Sequence, residues 1–432
     1  MASGKKKQRR KGPLFEWPDE AAMVVLKRVA PSIPFPRMIV KRRLPSFRLR
    51  SLLIAVAGLA VLFALVRFVR DAEYLHALLE RSNLIACLVE DVNSNDPISS
   101  RHFVLAGLRD EAISLRPKPG PCGAGSSCVS DADLQWICTH VPTSSLRDIE
   151  LLSPSISGAG LSVLERFDRL EVLEIHGLDS NQSISEFPRL PELTRLRLTH
   201  VYISDSALKS IGSLPKLRVL DLTYDAALYF RETTDDNRKF GREAMAAIGN
   251  ATSLERLYLD DRQITDGDTR PLAKLVNLKT LSLANNRLTN AALAHLTRLV
   301  LLEQLNLDGI ANVHDCRSFK QMPNLKSLSI RRAILDRDFG DQLGQLARLH
   351  ELDLAEASAA TGDFEELLQI LPKLRHLKKL SLRRCVVTAK AIPLLAEMPW
   401  LEELDVFGTG ITAWDGGDAL RKSLPKTKIT WY

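Results

Sequence analysis

Aliphatic residues recur with a long, regular period over the last two thirds of the chain. Hexads of the form Leu-x-x-Leu-x-Leu, some with Ile or Val inside, begin at Leu146, Leu170, Leu193, Leu217, Leu254, Leu278, Leu302, Leu325, Leu349, Leu377 and Leu401. Eight of the ten intervals are 23 or 24 residues, a register that a chance run of leucines would not hold. In 277–300, Leu281 and Leu283 stand two apart, so both point to one face of a short strand. Leu293, Leu296 and Leu299 follow at helical spacing, which predicts a short helix with one apolar stripe. One strand and one helix cannot bury that many leucines, but stacked copies can.

A fixed period in this range is the signature of a solenoid, and this pattern is the leucine-rich repeat. The expected fold is α/β: parallel strands on a concave side, helices on a convex side. About eleven repeats occupy 146–432 with a C-terminal cap, and 128–145 reads as an N-terminal cap. The ninth position of such repeats is commonly Asn or Cys, whose side chain ties down the turning backbone. Here Asn286 and Cys385 fit and Thr409 fits weakly, whereas Pro154, Leu178, Val201, Ile310, Ala333 and Ala357 do not. Backbone or water is expected to close the remaining turns. Two repeats are long. The one from Leu217 has 13 extra residues around 226–242, with Tyr229 and Phe230 beside a run of charges, and the one from Leu349 has four near 371–376. The first insert reads either as a solvated loop or as a partner-contacting one.

Charge alters the picture at the N-terminus. Residues 1–50 hold 14 Lys/Arg against Glu16, Asp19 and Glu20, so they carry +11 of a net +7 and leave −4 for the rest. Residues 51–66 have no charge, and sixteen helical residues rise about 24 Å, close to a ~30 Å hydrocarbon core. Phe47, Leu49, Phe68 and Val69 extend the run if the flanking arginines snorkel. A fifty-residue basic leader without an A-x-A site does not fit a cleaved signal peptide, and a core helix would show a polar face. The expectation is a transmembrane anchor at 47–70 behind a cytoplasmic, extended or disordered basic tail at 1–46. A bridge at 71–127, read as helical, then leads to repeats outside the cytoplasm.

The chemistry-bearing residues are sparse. No phosphate loop, nucleophile elbow, zincin or dinucleotide motif is present, and the nine histidines are scattered. Glu174 near His176 is a conceivable pair but reads as ordinary surface polarity. The stretch 91–102 begins like a calcium loop but lacks Gly at position 6 and Glu at position 12. There is no Cys-x-x-Cys, so zinc is not expected. Cys122 and Cys128 flank a Gly/Ser loop and are compatible with a disulfide or with free thiols, while Cys316 and Cys385 read as repeat residues. The expectation is therefore no enzyme, no cofactor, no metal and no small-molecule substrate. Hexad positions three, five and seven face outward. They mix charges in blocks without a basic stripe, which disfavours nucleic acid as a partner. The outward set Arg195, Arg197, Asp221, Arg256, Tyr258 and Asp260 joins long polar side chains to one Tyr and is the candidate partner-binding site.

Four segments carry a resemblance. The basic and apolar stretch 47–65, the opening VSDADLQWI (129–137), the linkers ISDSAL, ITDGDT, LTNAAL and VTAKAI, and the closing LRKSLPKTKITWY (420–432) resemble membrane-anchored leucine-rich repeat proteins of planctomycete-type bacteria. The linkers also resemble those of F-box proteins, but no F-box-like module precedes them. The resemblance implies protein–protein interaction and brings no catalytic residues. A structural envelope component and a cytoplasm-facing adaptor are the alternatives to an exported scaffold. The uncharged run at 51–66 predicts that full-length protein fractionates with membranes and resists carbonate extraction. Release by carbonate or high salt would remove the anchor.

Overall fold

A computed structural model describes residues 103–107, 113–117, 131–140 and 146–431, apart from 153–155, 178–182, 225–237, 311–316, 337, 361–363, 365–367 and 413–415. The tail at 1–46, the anchor expected at 47–70, Cys87, Cys122, Cys128, Cys316, Tyr229 and Phe230 lie outside the described residues. Among the described residues no helix is long and apolar enough to cross a membrane.

Every hexad makes one strand, and each strand pairs in parallel with the next. Leu257, Leu281 and Leu305 stand in register, as do Leu196, Leu220 and Leu257. Stacking in register turns a period of 24 residues into a column of leucines, and these hexad leucines are almost fully buried in one continuous core. Leu281 and Leu293 have no exposed surface. Alternation across the pleat sends positions three and five to the opposite face, as the burial pattern of the strand Arg195–Thr199 shows.

The sheet is wider than eleven strands. It has fourteen among the described residues. Lys428–Thr430 pairs in parallel with Glu403–Asp405 at one end. At the other, Ile113–Pro117 pairs with the first hexad strand, Leu146–Leu152, and Phe103–Gly107 pairs antiparallel with Ile113–Pro117. This corrects the helical reading of the bridge over those ten residues. FVLAG and ISLRP are short apolar runs suited to strands. They also cover the unpaired backbone groups that the first repeat would leave at an open sheet edge.

The outer halves are shorter and tighter than the leucine spacing suggests. Asp205–Gly212, Arg242–Ile248 and Asn290–Leu296 are α-helical, whereas Asp266–Lys274, Arg317–Gln321 and Ala389–Ala391 are 3₁₀. A 3₁₀ turn rises about 2.0 Å per residue against 1.5 Å, so it is a narrower, more extended way to cross the outer wall. The linker aspartates join repeats. Asp131, in the helix Asp131–His140, accepts hydrogen bonds from Ser157 N (2.8 Å) and Oγ (2.6 Å). Asp266 accepts from Thr289 N (2.8 Å) and Oγ1 (2.7 Å) in the same way. Ser157 and Thr289 themselves cap the following helices. Asp131 and Asp266 are thus bolts through the next repeat's helix start.

After nine of the hexad strands the chain turns through a residue at positive φ at the eighth position. Gly177, His200, Asp261, Asn285, Gly309, Arg332, Glu356, Arg384 and Gly408 hold this eighth position at φ between 55° and 74°. The ninth residue then faces inward. Asn286 Nδ2 donates to Leu259 O and Leu283 O at 2.9 Å each, and its Oδ1 accepts from Arg262 N and Ile264 N at 3.0 Å each. Cys385 Sγ donates to Leu354 O at 2.9 Å. Where the ninth residue is Ile310 or Ala357, backbone amides close the turn, as expected.

Arg262 is the ninth residue that the leucine pattern conceals. Its side chain has no exposed surface. Nε donates to Leu222 O and Nη1 to Val201 O (3.0 Å), reaching across two repeats. The guanidinium lies between the Phe240 ring, 4.6 Å away, and the Tyr224 ring, 5.4 Å away. Burial pulls its pKa below the usual guanidinium range, opposed by Tyr224, Asp221 and Asp261. The lengthened repeat has no inward side chain among its described residues to close its own turn, and this arginine from the next repeat does so. Arg262→Met keeps the apolar stem but strips the donors from Leu222 O and Val201 O. Unfolding by urea should show a loss of about 2–4 kcal/mol, with no rescue by Arg262→Lys. Stability within error of wild type would show that the turn is closed by other groups.

Candidate functional site on the strand face

The outward side chains of neighbouring strands form two rows. Arg195, Val219, Arg256 and Thr280 are in register, and so are Arg197, Asp221, Tyr258 and Ser282. Five of the six candidate residues therefore share one patch. Arg197 is half-buried and bridges two carboxylates: Nη1 lies 3.2 Å from Glu174 Oε2 and Nε 3.0 Å from Asp221 Oδ2. Arg195 is more exposed and reaches Glu174 Oε1 only at 4.0 Å. Asp221 Oδ1 also accepts from Thr223 N at 3.1 Å, so this carboxylate ends its own strand as well as holding Arg197.

Asp260 stands apart from the other five. Its Oδ1 accepts from Ser282 Oγ (2.5 Å) and Ala284 N (2.8 Å), so it fastens the turn of the next repeat. Asp308 repeats the device on Ser329 Oγ (2.5 Å) and Arg331 N (2.9 Å). Burial is the main cause that pushes the Asp260 carboxyl up to about 6. The two hydrogen bonds oppose it, and the charges of Asp221 and Asp308 add to it.

Most charge on this face is spent on neighbours. Lys379 Nζ lies 3.2 Å from Glu351 and 3.9 Å from Glu403, Arg331 Nε is 3.8 Å from Asp353, and Arg383 stacks on the Phe407 ring at 4.2 Å. A trough of about 440 Å³ runs there between Ser329, Asp353, Lys379 and Asp405. A second groove of about 450 Å³ lies at the strand starts, beside Lys216, Arg218, Glu255 and Leu301. Arg256 differs from the other outward arginines: it is exposed and makes no ion pair among the described residues.

Two clusters escaped the sequence reading. Tyr202 and Tyr224 stack at 5.7 Å with their hydroxyls 3.2 Å apart beside Arg262, close to where the insert departs. Arginine at a ninth position, directly after a long repeat, was the available signal. Glu150, Glu174 and His176 bring three possible metal-ligand atoms within 4.8 Å of one another on adjacent strands. Cys138 and Cys385 are free thiols, and burial raises them to about 11 and about 12, which suits packing rather than reactivity.

The repeats and the sheet give the chain the fold of a leucine-rich repeat solenoid. No protein-family profile matches it. It is 25% identical over 322 residues to Toll-like receptor 2 type-2 of Gallus gallus, a match that covers 71% of this chain and 36% of that one. It is 26% identical over 289 residues to Toll-like receptor 9 of Homo sapiens, covering 61% and 26%. The chain thus spans about a third or less of the curated relatives it matches. Among solved structures, an internalin of Listeria monocytogenes superposes with a TM-score of 0.49 at 20% identity, over 71% of this chain and 80% of that one. A leucine-rich repeat protein of Leptospira interrogans gives 0.41 at 22% identity, over 67% and 68%.

An acid whose folded pKa lies above its ordinary value binds its proton more tightly in the fold. Its contribution is complete at low pH and is lost as pH rises through about 6. Asp260→Asn keeps the acceptor for Ser282 and Ala284 without the buried charge. It should be more stable than wild type at pH 8 by about 1–3 kcal/mol, with the gap closing near pH 4. A difference independent of pH would show that Asp260 is solvated in the fold.

Proposed function

We propose that this chain is a membrane-anchored scaffold that binds a protein partner on its strand face, at the patch formed by Arg195, Arg197, Asp221, Arg256 and Tyr258. Arg256 carries the reading. The other outward arginines pair with carboxylates of adjacent repeats, whereas this exposed guanidinium makes no ion pair among the described residues and stands beside Tyr258. Arg and Tyr are the residue types that dominate protein interfaces. A rigid sheet presents them with little ordering cost, which favours affinity. Two relatives are named as receptors, which fits a face that binds ligand. Asp260 is left out of the contact set because its carboxylate is spent on Ser282 and Ala284.

The anchor is the uncharged run 51–66 within 47–70, and the basic tail sets its orientation by the positive-inside rule. The repeats then sit outside the cytoplasm.

Full-length protein carrying Arg256→Ala with Tyr258→Ala should capture its partner at least tenfold more weakly, with an unchanged melting temperature, because both side chains point away from the core. Arg331→Ala with Arg383→Ala is the matched control on the same face. If the control abolishes capture and the first pair does not, the site lies in the C-terminal repeats. If neither matters, the strand face is not the binding surface.

A further inference from the structure

We propose that Glu150, Glu174 and His176 form a binding site for one divalent transition-metal ion, zinc being the best match. The strands Leu146–Leu152 and Val172–His176 pair in parallel with Glu150 directly beside Glu174 and with His176 two residues on, on the same face. His176 Nε2 is 3.7 Å from Glu174 Oε2, and all three ligand atoms fall within 4.8 Å of one another. Tetrahedral zinc with arms of about 2.1 Å needs ligand atoms about 3.4 Å apart, so small rotamer adjustments close the site.

Three further features point the same way. Like charges directly opposed across a strand pair are unfavourable unless a cation intervenes. Arg197 and Arg195 compensate Glu174, but Glu150 has no ion pair or hydrogen bond through its side chain among the described residues. His176 Nδ1 lies 2.8 Å from Thr199 Oγ1 on the next strand. With Nδ1–H donating there, the ring is oriented and Nε2 turns its lone pair to the carboxylates, as ligand histidines are usually held. Arg197 Nη1 lies 3.2 Å from Glu174 Oε2, the oxygen that faces His176, so a metal ion displaces this contact, and Asp221, 3.0 Å from Nε, keeps the guanidinium as an outer partner. One imidazole with two carboxylates suits zinc and its neighbours better than calcium or magnesium, which prefer all-oxygen shells. Three protein ligands leave a position open to solvent.

The test uses full-length protein stripped with a chelator, then titrated with zinc chloride in a calorimeter and with Co²⁺ followed by its visible absorption. One equivalent should bind with Kd below about 100 µM, and zinc should raise the melting temperature. His176→Ala and Glu150→Gln should each weaken binding at least tenfold while melting like wild type without metal. His350→Ala, on a distant repeat, should bind normally. Absence of saturable binding, or binding that His176→Ala and Glu150→Gln leave intact, would overturn the site. Partner capture that depends on Arg256 and Tyr258 is unaffected by either result.

Discussion

Each repeat is stable only because its neighbours cover it. A single strand with one outer turn leaves two rows of backbone groups and a stripe of leucines uncovered, and both are satisfied only by the next repeat in register. The same constraint explains the polar contacts. The linker aspartates reach forward to the next helix cap, Asp260 and Asp308 reach forward to the next turn, and Asn286 reaches back to Leu259 O. These bonds are between repeats, so they enforce the register that buries the leucines.

The second hexad position carries the same logic in charge. Arg147 pairs with Glu171 at 2.7 Å, Arg218 and Lys279 both pair with Glu255, Lys326 pairs with Glu303 at 2.9 Å, and Lys378 pairs with Glu402 at 2.7 Å. Such exposed pairs are solvated and add little to stability. Their effect is on register: a strand slipped by one residue would break these pairs and turn its leucines outward. The outer turns can therefore vary between α and 3₁₀ without disturbing the sheet.

How much of this was legible follows from the range of each interaction. The leucine period and the outward set are local and repeated, and both could be read directly. The ten residues of the bridge that form strands could not, because their role is to cover an edge that exists only after the first repeat has folded. Asp260 read as a surface acid because its position faces outward, yet the next repeat's Ser282 and Ala284 rise to meet it. Glu174 and His176 were visible as a pair, but Glu150, 24 residues earlier, joins them only through the strand register.

Arg262 shows why an exception can matter more than the rule. The insert breaks the period at one repeat, and among the described residues the side chain that fastens that repeat's turn is Arg262 of the next one. Asn286 reaches one repeat back, to Leu259 O, whereas the Arg262 guanidinium on its long stem reaches Val201 O two repeats back as well as Leu222 O, with the Phe240 and Tyr224 rings beside it. Burying a charge is costly unless it is engaged; the two carbonyls hold Nε and Nη1 and the aromatic pair covers the guanidinium, while Nη2 is buried without a hydrogen-bond partner among the described residues. The candidate patch at Arg197, Asp221 and Tyr258 lies on the repeats that Arg262 ties together. One side chain thus fastens, from behind, the three repeats whose outward residues form the candidate patch.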